Sequence, residues 1–224
     1  AGIEPLTARV FQASPQLKVV SRCGAGLDSV DLNAAKQHGI TVLNTPEAPA
    51  QAVAELTMAF ILNLLRQTAV IDRAVRNKEW PRTQGRLLAA QTVGIVGLGH
   101  IGRRVARLCQ AFEASVIAHD PFASQVPDGV KLVPLDQLLA SADIITLHLP
   151  YSADSHHRLD AKAFAAMKPE AIVINAARGG LVDEDALADA LKSGKVSAAA
   201  LDVFEQEPYQ GPLLEFGHIT LTSH

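Results

Sequence analysis

One stretch decides the fold: Thr92-Val93-Gly94-Ile95-Val96-Gly97-Leu98-Gly99-His100-Ile101-Gly102. Its order predicts a short apolar strand, a glycine-rich turn and the first turn of a helix. In a dinucleotide site of this type, Gly97 permits the tight turn, Gly99 lets the backbone approach a pyrophosphate, and Gly102 lets the helix pack closely on the strand. The first N–H groups of the helix and the positive end of its dipole then face the phosphates.

An acidic residue supports this interpretation. The next predicted strand, residues 115–119, is followed by Asp120, which lies about 20 positions beyond the glycines. A carboxylate at that position accepts hydrogen bonds from the adenosine ribose of NAD and repels a 2′-phosphate, so NAD is the predicted cofactor. The alternative is a strand–helix corner with a purely structural role, because glycine turns are common in proteins without a nucleotide.

Composition excludes several classes of partner. The chain has 224 residues, enough for one large or two small domains, and a net charge of −3. That charge provides no basic field for nucleic acid or for an anionic membrane, so neither is a predicted partner. Cys23 and Cys109 lie far apart and fit no metal-ligand spacing. They are typical of reduced thiols in a cytoplasmic protein, and we predict neither a disulfide nor a metal site.

After Thr92, strand and helix patterns alternate regularly, which predicts an α/β fold with a doubly wound parallel sheet. Asp183 is the expected N-cap of the last helix, so the acidic run that begins there is interpreted as capping rather than as a metal site. The predicted strands cover residues 92–97, 115–119, 143–149, 171–175, 197–201 and 218–222. The predicted helices cover residues 101–112, 135–141, 160–167 and 184–193.

The first part of the chain is too small to form a domain alone. It predicts about one and a half βα units, made of strand 17–22, helix 31–38 and strand 40–43. We therefore expect a partial domain over residues 1–49 and a nucleotide-binding domain over residues 50–224, within a longer polypeptide. The loop with Gly24 and Gly26 exposes backbone N–H groups that suit a small anion. An ordinary βα corner explains that loop equally well.

A long apolar segment joins the two parts. The predicted helix at residues 51–66 carries apolar side chains on nearly every side, so it must be buried by the rest of the chain or by a partner. A second amphipathic segment, residues 70–77, leads to Trp80, which suits either the core or a subunit interface. We expect a homodimer whose interface includes the first helix or the segment up to Trp80.

Four candidate site residues follow predicted strands, at the edge of the sheet where ligands bind such proteins: Arg178, Asp202, Glu207 and His224. An Arg holds a carboxylate through two hydrogen bonds, and a His exchanges a proton near neutral pH. Arg, Glu and His together suit hydride transfer between a 2-hydroxy acid and a nicotinamide. Each also has an ordinary interpretation: Arg178 as a helix cap, Glu207 as a solvated carboxylate, and His224 as a loop imidazole.

These residues lie in segments that make the sequence similar to the D-isomer-specific 2-hydroxyacid dehydrogenases, in particular their phosphoglycerate-dehydrogenase-like branch. The segments come in the family's order and cover nearly the whole chain. They are Arg22–Asp28, Ala54–Thr57, Gly94–Gly102, His148–Pro150, Asn175–Gly179, Asp202–Pro208 and Thr222–His224. The resemblance implies a Rossmann NAD domain with part of a flavodoxin-like substrate domain, and a homodimer built largely through the NAD domain.

The resemblance also implies roles for single residues. The catalytic trio falls on Arg178, Glu207 and His224, and Arg178 also binds the substrate. Asp202 falls near the nicotinamide amide. Backbone N–H groups that bind the substrate carboxylate fall on the loop formed by Cys23, Gly24, Ala25 and Gly26. The implied cofactor-binding residues are Gly97, Gly99, His100, Ile101, Gly102, Asp120, His148, Pro150, Ala177 and Asp202.

The predicted activity is NAD-dependent oxidoreduction between a small D-2-hydroxy acid and its 2-keto acid. Phosphoglycerate enzymes resemble one another in carrying an Arg in the segment that here reads Gly2-Ile3-Glu4-Pro5-Leu6-Thr7, which has no basic residue. Glyoxylate, hydroxypyruvate or another short 2-keto acid therefore suits the sequence as well as phosphoglycerate. The alternative function is an NAD(H)-sensing regulator of the corepressor type on the same fold.

Overall fold

The computed structural model describes residues 4–224, so Gly2 and Ile3 of the first segment lie outside the described residues. The chain divides into two compact units, of which the first ends at Ala52 and the second runs from Val53 to His224. The division falls close to the expected boundary between residues 49 and 50.

The first unit contains two short parallel strands with a helix between them in the chain. Gly39, just after that helix, adopts a φ of +68°, and this left-handed conformation ends the helix. A five-residue helix near the start was not predicted, because it is too short to show a helical period. The elements are α1 (Ala8–Gln12), β1 (Val19–Arg22), α2 (Leu32–Gln37) and β2 (Thr41–Asn44). The buried side chains are Phe11, Val20, Val30, Ala34, Ala35 and Ile40.

The second unit, residues 53–224, holds a sheet of seven strands that pair in parallel throughout. Six strands match predicted ones. The two-residue strand at Lys131 and Leu132 was missed, because two exposed residues at the edge of a sheet show no apolar pattern. The strands are β3 (Thr92–Val96), β4 (Ser115–His119), β5 (Lys131–Leu132), β6 (Ile144–Leu147), β7 (Ala171–Asn175), β8 (Val196–Leu201) and β9 (Thr220–Leu221).

The helices alternate with these strands as predicted. The side chain of Asp183 accepts a hydrogen bond of 3.0 Å from the N–H of Ala186, which confirms it as the N-cap of the last helix. The helices are α3 (Ala50–Arg66), α4 (Thr68–Arg76), α5 (His100–Ala111), α6 (Leu135–Ser141), α7 (Ala161–Ala166) and α8 (Glu184–Lys192).

Helices cover both faces of the sheet, which confirms the doubly wound fold. Ile144 of β6 packs in the cluster that contains the buried residues of α3 and α5, and its neighbour Ile145 packs with α6, α7 and α8 on the opposite face. The packing is close, since a Cβ on Gly94 of β3 would lie 2.6 Å from a methyl carbon of Leu138 in α6.

The order of the strands is β5-β4-β3-β6-β7-β8-β9. The chain therefore leaves β3 toward one edge of the sheet and returns to β6 on its other side. The loops that follow β3 and β6 diverge, and this reversal is where ligands bind doubly wound sheets. Arg178, Asp202 and Thr222 follow β7, β8 and β9 at the same carboxyl edge.

The apolar helix α3 is largely buried within the second unit. Ala54, Met58, Ile61 and Leu65 lie in the core, as its composition predicted. Gln67, at a φ of +53°, separates α3 from α4. Within residues 4–224 no single helix has the length and apolar composition to cross a membrane, and α3 with α4 meets that criterion only as a pair bent by 61°.

Candidate active site

The glycine turn joins β3 to α5, and its glycines meet different steric demands. Gly97 adopts a φ of +95°, and a Cβ there would lie 2.5 Å from the carbonyl oxygen of His148. A Cβ on Gly102 would lie 2.1 Å from the carbonyl oxygen of Gly97. A Cβ on Gly99 would meet no atom of the described residues within 4 Å. The turn is thus tightly packed at Gly97 and Gly102 and open at Gly99.

The carboxylate of Asp120 lies beside this turn, at the end of β4. Its Oδ2 accepts a hydrogen bond of 2.8 Å from the N–H of Leu98, and its Oδ1 accepts one of 2.8 Å from the N–H of Phe122. Each oxygen keeps a further lone pair for a ligand hydroxyl. The helix start at His100 and Ile101, the open space at Gly99 and this acceptor together fit a dinucleotide, with phosphate at the helix and ribose at the carboxylate.

A buried amide shapes the turn that carries Arg178. Asn175, wholly buried at the end of β7, donates a hydrogen bond of 2.8 Å to the carbonyl of Arg178 and accepts one of 3.1 Å from the N–H of Ala177. The next residue packs against the segment after β8, since a Cβ on Gly179 would lie 1.9 Å from the carbonyl carbon of Phe204. The half-buried Arg178 therefore stands beside the segment that contains Glu207.

Glu207 and His224 are in direct contact. His224 Nδ1 lies 3.0 Å from Glu207 Oε2, and Glu207 Oε1 accepts a hydrogen bond of 3.1 Å from the N–H of Phe204. Burial raises the pKa of Glu207, but the hydrogen bonds from His224 and Phe204 and the charges of His224 and Arg178 outweigh it, so the pKa is lowered. The structure thus brings Arg178, Glu207 and His224 together at the carboxyl edge.

Asp202 ties three strand ends to one another. Its N–H donates a hydrogen bond of 2.9 Å to the carbonyl of Asn175, and its carbonyl accepts one of 2.9 Å from the N–H of His224. Its side chain accepts a hydrogen bond of 2.5 Å from the hydroxyl of Thr222. Asn175 and Thr222 were not among the predicted site residues. A polar amide at the end of an otherwise apolar strand was the available sequence signal for Asn175.

His148 and Pro150 follow β6 at the same edge. His148 Nε2 lies 2.9 Å from the hydroxyl of Thr146, and its buried Nδ1 has no hydrogen-bond partner among residues 4–224. Burial lowers the pKa of His148 to about 3, so the ring is neutral near pH 7 and adds no positive charge for the cofactor phosphates. Pro150 is exposed, and its carbonyl accepts a hydrogen bond of 3.1 Å from the hydroxyl of Ser155.

The predicted carboxylate-binding loop lies in the first unit. Gly24 adopts a φ of +135°, and its N–H donates a hydrogen bond of 2.9 Å to the hydroxyl of Thr45. Because the N–H of Gly24 is already hydrogen-bonded, the predicted carboxylate site depends on the N–H groups of Ala25 and Gly26. Cys23, which opens the loop, is exposed and carries a free thiol.

A doubly wound parallel sheet with a glycine turn at its reversal and an acid after the next strand defines the dinucleotide-binding α/β proteins. Residues 58–224 match the family described as "D-isomer specific 2-hydroxyacid dehydrogenase, NAD binding domain". The chain belongs to this family, which confirms the resemblance and agrees with NAD as the cofactor.

Relatives by sequence include enzymes with different names. The chain is 44% identical over 224 residues to a D-3-phosphoglycerate dehydrogenase of Archaeoglobus fulgidus, in an alignment that covers 97% of the chain and 42% of that protein. It is 39% identical over 225 residues to a hydroxypyruvate reductase of Thermotoga maritima, covering 98% of the chain and 74% of that protein. The chain thus spans less than half the length of the phosphoglycerate dehydrogenase.

Solved structures show the same fold. A glyoxylate reductase from Paecilomyes thermophila superposes with a TM-score of 0.91 at 38% identity, covering 98% of this chain and 69% of that one. A D-lactate dehydrogenase from Aquifex aeolicus, complexed with NAD and lactic acid, superposes with a TM-score of 0.87 at 32% identity. The superposition covers 97% of this chain and 72% of that one.

Proposed function

We propose that the protein is an NAD-dependent oxidoreductase that interconverts a small D-2-hydroxy acid and its 2-keto acid. The observation that carries the proposal is the 3.0 Å contact between His224 Nδ1 and Glu207 Oε2 at the carboxyl edge of the sheet. When Nδ1 donates its proton to the carboxylate, Nε2 is the nitrogen that exchanges a proton with a substrate. The same edge carries the glycine turn.

NAD, when bound, supplies the acceptor for the hydride on C2 of the hydroxy acid. In the oxidation direction His224 Nε2 accepts the proton of the substrate hydroxyl, and Glu207 stabilises the resulting imidazolium. Arg178 holds the substrate carboxylate through paired hydrogen bonds and polarises the oxygen on C2. In the reduction direction the protonated His224 returns the proton to that oxygen.

The cofactor assignment rests on the glycine turn and on Asp120. The N–H groups at the start of α5 bind the pyrophosphate, and the carboxylate of Asp120 binds the adenosine ribose and repels a 2′-phosphate. NADH should therefore give a much higher kcat/KM than NADPH. Replacing Asp120 with Ser should narrow that ratio, and an unchanged ratio in the variant would refute the role given to this carboxylate.

The first unit is proposed to belong to the substrate domain. Its loop from Cys23 to Gly26 would bind the substrate carboxylate through backbone N–H groups, with residues 1–49 forming part of that domain and residues 50–224 the NAD domain. The relatives are named for phosphoglycerate, hydroxypyruvate, glyoxylate and lactate, and we propose a substrate of the same class. All are short acids with oxygen on C2, as an Arg next to a His–Glu pair requires.

A homodimer is also proposed. None of the residues of α4 is buried, Trp80 is 80% exposed and Leu87 is 68% exposed. The exposure of Trp80 excludes its predicted alternative in the core of this chain, and a large exposed aromatic is typical of an interface. Light scattering at micromolar concentration should give twice the chain mass, and Trp80→Ser should favour the monomer.

The free thiols of Cys23 and Cys109 support a cytoplasmic location.

Turnover of a panel of short 2-keto acids with NADH tests the activity. The full-length protein should oxidise NADH with at least one of them, and calorimetric titration should show NADH binding in their absence. Tight NADH binding with no turnover on any acid would favour the alternative, a sensor of NAD(H). Failure to bind NADH at all would contradict both.

A further inference from the structure

Two imidazoles and a carboxylate lie close together outside the proposed catalytic group. His156 and His157 belong to the connection between β6 and α7, and Glu205 belongs to the segment after β8. One possible ligand atom from each of the three lies within 4.8 Å of the others, and His157 Nε2 is 2.6 Å from Glu205 Oε1. Two imidazole nitrogens and one carboxylate oxygen are a donor set that Zn²⁺ binds, with water as the fourth ligand.

Both imidazoles have a further partner at their other nitrogen. His156 Nδ1 lies 3.2 Å from the hydroxyl of Tyr151, and His157 Nδ1 lies 3.8 Å from a carboxylate oxygen of Asp183. Histidines that bind metals almost always donate a hydrogen bond through the second nitrogen, because this contact orients the ring and raises its basicity. The contact of His156 has hydrogen-bond length, whereas that of His157 with Asp183 is a longer electrostatic contact. The Nε2 of His157 already faces the carboxylate of Glu205.

The backbone and the surrounding charge are also consistent with a cation site. His157 has a φ of +48°, a conformation that residues other than glycine adopt mainly at turns and functional sites, and its N–H donates a hydrogen bond of 2.8 Å to the carbonyl of Gly180. Glu184 accepts a hydrogen bond of 2.9 Å from the N–H of Glu205. Glu184 also interacts electrostatically with Glu205 and with His157, so a further acidic group lies close to the cluster.

We propose that His156, His157 and Glu205 form a site for Zn²⁺ that fastens the segment Asp202–Pro208 to the turn at His156. Ligands of tetrahedral Zn²⁺ are about 3.3 Å apart, so the 2.6 Å contact between His157 and Glu205 opens slightly around the ion. The two rings are stacked with centroids 3.8 Å apart, and one of them turns to direct its nitrogen at the ion. Because Glu207 lies in the fastened segment, the ion restricts the motion of a proposed catalytic residue.

Sequence spacing did not predict this site. Two adjacent histidines resemble no metal motif, and Glu205 comes 48 residues after His157. The two segments meet only because β6, β7 and β8 are neighbours in the sheet and their carboxyl ends lie together.

Equilibrium dialysis of the chelator-treated, full-length protein against ZnCl₂ tests the proposal. The wild type should bind one Zn²⁺ per chain at this site, and His157→Asn and Glu205→Gln should each weaken binding by at least about 10-fold. His218→Gln is the matched control, because His218 is exposed and lies outside the cluster. Urea unfolding of every variant checks that it is folded.

Hydrogen exchange gives a second measurement that does not depend on any enzymatic activity. Zn²⁺ should slow exchange of the amides in residues 202–208 in the wild type and in His218→Gln, but not in Glu205→Gln. The proposal is overturned if the wild type binds no Zn²⁺ at micromolar concentration. It is equally overturned if His157→Asn and Glu205→Gln bind as tightly as the wild type, since the ion would then lie elsewhere.

Discussion

The glycine turn and the three proposed catalytic residues Arg178, Glu207 and His224 (the catalytic group) lie at the same edge of the sheet but are built in opposite ways. The turn comes from six consecutive residues, Gly97 to Gly102, and its shape depends on backbone atoms and on the absence of side chains. The catalytic group comes from three strand ends, and Glu207 and His224 are separated by 17 residues. A local segment therefore defines the proposed cofactor site, whereas the strand order defines the proposed catalytic site.

The two regions also differ in exposure. Gly97 is buried and Leu98 is 1% exposed, so the turn is held by the core. The side chains of His224 and Glu207 are 48% and 40% exposed. We therefore expect separable effects: changes in the turn should alter cofactor affinity and stability, and changes in the catalytic group should alter turnover with little effect on either.

The largest effect is expected for His224→Gln. Removing a general acid–base group should lower kcat by roughly 10²- to 10⁴-fold. Because the strand before His224, β9, lies four places from β3 in the sheet, the NADH dissociation constant should change by no more than about twofold. Steady-state kinetics and an NADH fluorescence titration measure the two effects. Loss of NADH binding in this variant would show that the two regions are not separable.

Arg178→Lys keeps the charge and removes the paired hydrogen-bond geometry. Losing that geometry at a substrate carboxylate should lower kcat/KM roughly 30- to 1,000-fold, with a large rise in KM. NADH affinity should again stay near that of the wild type. A Lys variant with wild-type kcat/KM would exclude the bidentate role of Arg178.

A matched pair of glycine variants tests the turn itself. Gly102→Ala places a Cβ 2.1 Å from the carbonyl oxygen of Gly97 and should destabilise the fold by about 1–3 kcal/mol. Gly99→Ala meets open space and should fold normally, but its methyl group occupies the space proposed for the pyrophosphate. Its NADH affinity should fall about 10-fold, or about 1.4 kcal/mol. Urea unfolding and NADH titration of both proteins measure the contrast; equal stabilities would contradict it.

The smallest effect is expected for Glu207→Gln, measured as stability against pH. The pKa of Glu207 is lowered in the folded protein, so its contribution is present above the ordinary value of 4.5 and is lost as pH falls through the lowered pKa. For a pair this exposed the contribution should be about 1 kcal/mol or less. Unfolding free energies of wild type and variant should therefore differ at pH 7 and converge in acid. A difference that grows in acid would contradict the assignment.

The sequence by itself determined the alternation of strands and helices after Thr92, the glycine turn and the N-cap at Asp183. Each depends on contacts within a few residues, where apolar period, steric freedom of glycine and side-chain capping act directly. It also placed Arg178, Asp202 and Glu207 after strands. Short elements such as α1 and β5 escaped prediction, because five residues or two are fewer than a period needs.

Only the tertiary structure decided which of these residues meet. It set the 3.0 Å contact of Glu207 with His224, the hydrogen bond from Thr222 to Asp202, and the approach of His157 to Glu205. The physical reason is the same in each case. These contacts join segments far apart in the chain, and their distances follow from the order β6-β7-β8-β9 and from the packing of the core, which no local pattern encodes.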